Sequence, residues 1–190
     1  MLNRVSAQVR DQRREVRSLE RDEARLSRLV DQLAKVITAP AEGGRRNERV
    51  PESGADQSAF AQLKGKLRLP IKGELVNRFG ARRSEGGPQW KGLFIRAASG
   101  QDVRAVAAGR VVFAEWMRGF GNLLIVDHGG EYLTIYGNNE SVLKAVGDEV
   151  RTGDAVATVG ATGGSPESGL YFEIRRRGRP FDPLKWVSLR

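Results

Sequence analysis

Residues 109–136 read GRVVFAEWMRGFGNLLIVDHGGEYLTIY. Three short runs rich in Val, Ile, Leu, Phe and Tyr lie at Gly109–Trp116, Asn122–Asp127 and Tyr132–Tyr136, with Gly-containing turns such as the pair at 129–130 between them. Arg110-Val111-Val112-Phe113 and the stretch Glu131–Tyr136 alternate at the strand period. The same pattern extends on both sides: Glu74–Arg78, Gly92–Arg96 and Asp102–Ala105 before it, Ala155–Val159 and Leu170–Arg175 after it. No amphipathic helical stretch longer than about ten residues interrupts these runs. The spacing predicts a mainly β domain over residues 61–190, a barrel or sandwich.

Upstream the period changes. Residues 1–38 read as one helix without Pro or Gly before position 39, roughly 55 Å long at 1.5 Å per residue. Heptad seam positions fall on Leu2, Val5, Val9, Gln12, Val16, Leu19, Glu23, Leu26, Val30, Leu33 and Ile37, nine of the eleven apolar. Such a seam needs a partner, either as a homodimeric or antiparallel coil or as a docking arm for another protein. Gln12 and Glu23 weaken its packing and could set register. Residues 39–60, rich in Gly, Pro and charge, read as a flexible linker. Either the coil or residues 56–66 could fold back over a groove of the β domain.

The chain has 190 residues, one histidine, no cysteine and a net charge of +9. Without cysteine there is no disulfide framework, thiol nucleophile or Cys-ligated zinc. The β domain carries 20 basic against 13 acidic residues, so the positive excess sits mostly there and favours a negatively charged partner. Nucleic acid is set aside, because no phosphate-binding loop and no interleaved aromatic motif of a single-strand binder occurs. No run of about 18 apolar residues is present, and no apolar signal-peptide core precedes the coil.

The motifs of the β domain, in order, are Gly73–Gly80, Trp90-Lys91-Gly92-Leu93-Phe94-Ile95, Val103–Val112, Phe120–Gly129, Thr134–Asn138, Val146–Asp154, Gly160–Gly164 and Leu170–Ile174. Together they resemble the LytM (lysostaphin-like) zinc endopeptidase domain across residues 68–187. An active member of that family holds zinc through an H-x-G-x-D motif and the second His of a late H-x-H. The first His of that pair and another after the Tyr-Gly segment assist the attacking water. Here Trp90 and Phe94 replace the His and Asp of the first motif, Gly169 and Tyr171 replace the H-x-H pair, and Asn138 stands at the remaining His position. Imidazole and carboxylate are what zinc requires. No catalytic residue, metal or cofactor is therefore expected. The single His128 aligns with a strand-end histidine that the family does not use for zinc, and a structural hydrogen bond is its expected role.

An N-terminal coiled coil before a degenerate LytM domain is similar to the EnvC-type murein hydrolase activators. The resemblance implies a periplasmic, non-enzymatic activator of N-acetylmuramoyl-L-alanine amidases at the division site, with the coil docking on an FtsEX-type division ABC transporter. The alternative is a passive peptidoglycan-binding or scaffold protein. The vestigial groove would be formed by Trp90, Lys91, Phe94, Arg96, Phe120, Asn138 and Tyr171, with aromatic anchors beside cations as in a protein-binding hot spot. Trp90, Phe94 and Tyr171 could equally pack as core where a metal once sat. Arg175–Arg179 reads as a solvated hairpin tip or as a patch for anionic murein or an acidic partner. The Arg82-Arg83 pair reads as a loop feature of little weight.

Overall fold

The computed structural model describes residues 2–38, 59–84 and 86–189. Positions 39–58 of the expected linker lie outside the described residues. Helix α1 spans Leu2–Thr38. Ten strands follow: β1 (Glu74–Asn77), β2 (Leu93–Arg96), β3 (Asp102–Arg104), β4 (Gly109–Met117), β5 (Gly121–Asp127), β6 (Tyr132–Val142), β7 (Glu149–Val150), β8 (Ala155–Val159), β9 (Gly169–Arg176) and β10 (Arg179–Phe181). All their pairings are antiparallel, in the order β1-β2-β9-β6-β5-β4-β7, with β10 added to β9 and β8 joining β6 to β3. The mainly β reading of the sequence is correct.

The long strand β6 bends the sheet. Tyr132–Gly137 pairs with β9, whereas Asn139–Val142 pairs with β8. Asn138 lies at the change of partner with φ 67°, a left-handed conformation that Asn tolerates better than most residues.

Strict alternation assigns side chains to two apolar layers. Leu93 and Ile95 of β2, Leu124 and Val126 of β5, Tyr132 and Tyr136 of β6, and Leu170, Phe172 and Ile174 of β9 face the inner core. Their neighbours Phe94, Leu123, Ile125, Leu133, Ile135 and Tyr171 face outward. That outer face is covered by α1, whose Leu26 and Val30 are fully buried against it, with Leu29 and Leu33 half-buried beside them. The C-terminal half of the heptad seam thus packs on a sheet of its own chain. At its N-terminal end Val5 and Val9 remain exposed.

His128 closes the inner core at the strand end. Its Nδ1 donates to the Ala108 carbonyl at 2.6 Å, and its Nε2 lies 2.7 Å from Thr134 Oγ1. The ring stacks on Phe60, with centroids 4.6 Å apart. Burial lowers its pKa to about 4.

Candidate functional site

The outer face and α1 enclose a cavity of about 370 Å³. Trp90, Phe94, Phe120, Asn138 and Tyr171 line it from the β domain, and Glu15, Leu19 and Asp22 from α1. Five of the seven expected groove residues therefore converge. Lys91 and Arg96 do not line the cavity. Arg96 points to solvent at the end of β2, held by Glu74 at 3.0 Å and Glu167 at 2.9 Å. Alternation explains this: Phe94 and Arg96 share a strand face, but β2 ends at Arg96, beyond the covered part of the sheet. Lys91 acts at longer range, its charge favouring the ionised form of Glu23.

The aromatic residues form one surface. Trp90 lies 6.2 Å from Phe94 and 6.1 Å from Tyr171, and Tyr171 lies 5.4 Å from Phe120, centroid to centroid. Phe94 and Tyr171 are buried, whereas Trp90 is half-buried. Asn138 is committed to the scaffold. Its Nδ2 donates to the carbonyls of Gly160 and Gly169, and its Oδ1 accepts from Gly163 N–H. It pins two loops to the bend of β6, and its expected part in a binding surface reduces to lining the cavity wall.

A charge cluster crosses from α1 to the sheet, and the sequence reading missed it. Arg83 stacks over Trp90, its guanidinium carbon 4.1 Å from the ring centroid, and donates to Glu23 of α1 at 3.2 Å. Both side chains are nearly covered, at 11% and 12% exposure. Tyr171 OH donates to Glu173 at 2.6 Å, Glu173 pairs with Arg175, and Arg175 donates to Ser27 Oγ of α1 at 3.3 Å. Arg175 is buried, which corrects its reading as part of a solvated hairpin tip. Only Arg176, Arg177 and Arg179 of that run are exposed. Period 2 puts Arg175 on the face of Tyr171 and Glu173.

Electrostatics follow from burial. Desolvation raises Glu23 to about 7, helped by repulsion from Glu173 and opposed by Arg83, Arg175 and Lys91. Desolvation also raises Glu173, against the pull of Arg175. Tyr171 is held well above its ordinary range by burial and by the two carboxylates. At the hairpin between β4 and β5, Gly119 adopts φ 86° and packs on Asp22; an added Cβ would meet that side chain at 2.6 Å. α1 is thereby fitted to the groove at three points: Asp22, Glu23 and the Leu26–Val30 pair.

The donor set does not suit zinc. Indole and phenyl rings at Trp90 and Phe94 offer no metal lone pair, the Tyr171 hydroxyl is engaged by Glu173, and the Asn138 amide is engaged by backbone. A guanidinium already lies over this surface. Among the described residues no group of three or more His, Asp or Glu side chains is placed to hold an ion.

Comparison with known proteins adds four matches. The model of peptidase family M23 matches residues 88–183. Murein hydrolase activator EnvC of Escherichia coli K12 is 40% identical over 125 residues, covering 66% of this chain and 30% of that protein. Murein hydrolase activator NlpD of Salmonella dublin is 38% identical over 156 residues, covering 82% and 40% respectively. The chain spans about a third of the length of the curated relatives it matches. A zinc-containing peptidase from Vibrio cholerae has the same fold, with a TM-score of 0.58, 25% identity, and coverage of 63% of this chain and 39% of that one.

Proposed function

Because the chain belongs to peptidase family M23 while its ligand positions carry Trp90, Phe94 and Tyr171, we propose that it activates a cell-wall amidase without catalysis of its own. The observation that carries this reading is the refilled groove. Where the fold's peptidases need imidazole and carboxylate, this chain has an aromatic surface with a guanidinium over it, which suits an acidic, amphipathic protein segment. The family resemblance supplies the identity of that partner, an N-acetylmuramoyl-L-alanine amidase acting in septal peptidoglycan splitting in the periplasm.

The groove is occupied by α1 of the same chain. An amidase segment reaches it by displacing Glu23 from Arg83 and Leu26 and Val30 from the outer face. Full burial of such an aliphatic side chain is worth about 1.5–3 kcal/mol. While α1 is seated, the competent state is a minor population, and the apparent affinity for the amidase falls by that fraction. Any partner that holds α1 elsewhere, such as an FtsEX-type transporter bound to its exposed N-terminal seam, raises activation by population shift.

The test is release of label from murein by protein alone, amidase alone and the mixture. Enhancement should appear only in the mixture and fall strongly with Trp90→Ala, which removes a ring that lines the groove and whose fold is checked by its thermal transition. Equal release with and without the protein would refute the reading.

A further inference from the structure

The groove lies on the outer face, and a second recess opens where the inner layer reaches the surface. The even-numbered row of β9 runs Leu170, Phe172, Ile174 through the inner core and ends in exposed Arg176. The Arg176 guanidinium lies over Tyr132, 5.0 Å from the ring centroid. Tyr132 is the edge of an aromatic cluster: it lies 5.3 Å from Trp186 and 6.5 Å from Phe181, which is itself 5.2 Å from Trp186. A cleft of about 500 Å³ opens over these rings, with Phe79 on its wall and Lys64, Arg176 and Lys185 on its rim. Arg179 extends the cationic rim into the adjoining hollow.

These cations are available. Arg177 is paired with Glu131 at 2.6 Å, but Lys64, Arg176, Arg179 and Lys185 have no ion pair among the described residues. Among the described residues the one acid on the cleft wall is Asp182, which accepts from Leu184 N–H at 3.0 Å. Most other exposed arginines of the β sheet are partnered: Arg96 by Glu74 and Glu167, Arg104 by Asp102, and Arg110 by Glu149. Exposed cations such as Arg78, Arg118 and Arg151 also have no ion pair among the described residues, but Lys64, Arg176, Arg179 and Lys185 are grouped around one aromatic floor.

We propose that this cleft is a binding site for a carboxylate-bearing glycan. The apolar C–H faces of sugar rings would rest on Phe79 and Phe181, and the carboxylates would be held by Arg176, Lys185 and Lys64. The rings are recessed: Tyr132 and Trp186 are buried and Phe79 and Phe181 half-buried. No ring therefore stands out to insert into a bilayer or to stack unpaired bases. For the identity of the polymer, murein, the inference rests on the proposed function. For its geometry it does not, because β9 presents the groove and the cleft on opposite faces. A molecule that holds its polymer in the cleft keeps the groove free for the amidase, and tethers that enzyme to its substrate at raised local concentration.

The experiment is co-sedimentation of the full chain with purified murein sacculi, without amidase, alongside neutral chitin, vesicles of phosphatidylglycerol and single-stranded DNA. Binding should be strongest to sacculi and weaken with salt. It should fall roughly tenfold in Arg176→Glu/Lys185→Glu and in Lys64→Glu/Arg179→Glu, and stay unchanged in Lys91→Glu. Both double variants alter exposed side chains, and unchanged thermal transitions will certify their fold. Wild-type sedimentation by both double variants would overturn the proposal, as would equal binding to chitin, vesicles or DNA. Sedimentation without amidase enhancement would refute the activator reading and leave this site standing; enhancement without sedimentation would do the reverse.

Discussion

The two faces of the sheet are built differently. The inner layer, from Leu93 through Phe172 to Val187, is apolar, and its few polar groups, such as Tyr136 and His128, are neutral and hydrogen-bonded within the layer. The outer layer is closed by α1 with only Leu26 and Val30 fully buried, among Glu23, Arg83, Glu173 and Arg175. Apolar burial is non-directional and cooperative. Buried ion pairs recover little more than their desolvation cost, so they fix geometry more than they add stability. The inner face is a permanent core, and the outer face is a seat from which a helix can leave.

Truncating the inner layer should have the largest effect. Phe172→Ala removes a fully buried ring and should cost about 3–5 kcal/mol of global stability, read as a lower denaturant midpoint for the whole β domain. If the midpoint stayed within experimental error, the inner layer would not be the core that carries the fold.

The outer face should respond locally. Leu26→Asp places a charge where no side-chain area is exposed, so α1 should leave its seat while the β domain keeps its transition. Freed from competition, the groove should also enhance amidase activity more than the wild type does. Loss of the whole domain would mean that the two faces are one core.

Acid should act on the faces in opposite senses. Glu23 ionises near 4.5 when free and at about 7 when α1 is seated. Its contribution to seating is fully present below pH 4.5 and is lost as pH rises through 7, an effect on the order of a few kcal/mol. His128 is lowered from 6.5 to about 4 in the fold. Its contribution to the inner core is present above pH 6.5 and is lost as pH falls through 4. Between pH 7.5 and 5.5, α1 should therefore hold more tightly while the β domain loses a little stability. Glu23→Gln should abolish the first dependence only, with α1 seating followed by a fluorophore pair on α1 and the β4–β5 hairpin.

The smallest effect belongs to Arg96. Its ion pairs with Glu74 and Glu167 are solvent-exposed, so Arg96→Ala should change stability by less than about 1 kcal/mol. Amidase enhancement should be unchanged, since Arg96 does not line the groove.

Much of this contrast can be read from sequence, and the unreadable part has a physical cause. Runs such as Asn122-Leu123-Leu124-Ile125-Val126-Asp127 announce a strand because β-branched and aliphatic residues at that length suit a pleated, buried surface. Two-residue β7 and three-residue β10 are too short to carry a period. α1 was legible as a helix, but its heptad stripe specifies only an apolar seat, which a sheet supplies as well as a second helix does. Glu23 reads as a seam defect until Arg83, sixty residues away, is placed beside it. Arg83 itself lies in an irregular loop with no periodicity to reveal its direction. Arg175 could have been found: it is two residues from Glu173 and four from Tyr171 on one strand, hence on one face. The run of three arginines at 175–177 hid that phase.

Native-state hydrogen exchange decides whether α1 is a removable cover over a refilled groove. Amides of α1 between Leu19 and Leu33 should open at a free energy well below those of β5, with little dependence on denaturant, as expected for a local release. If both sets exchanged at the same free energy, through the same denaturant-sensitive opening, α1 would be an integral part of the core and no removable cover.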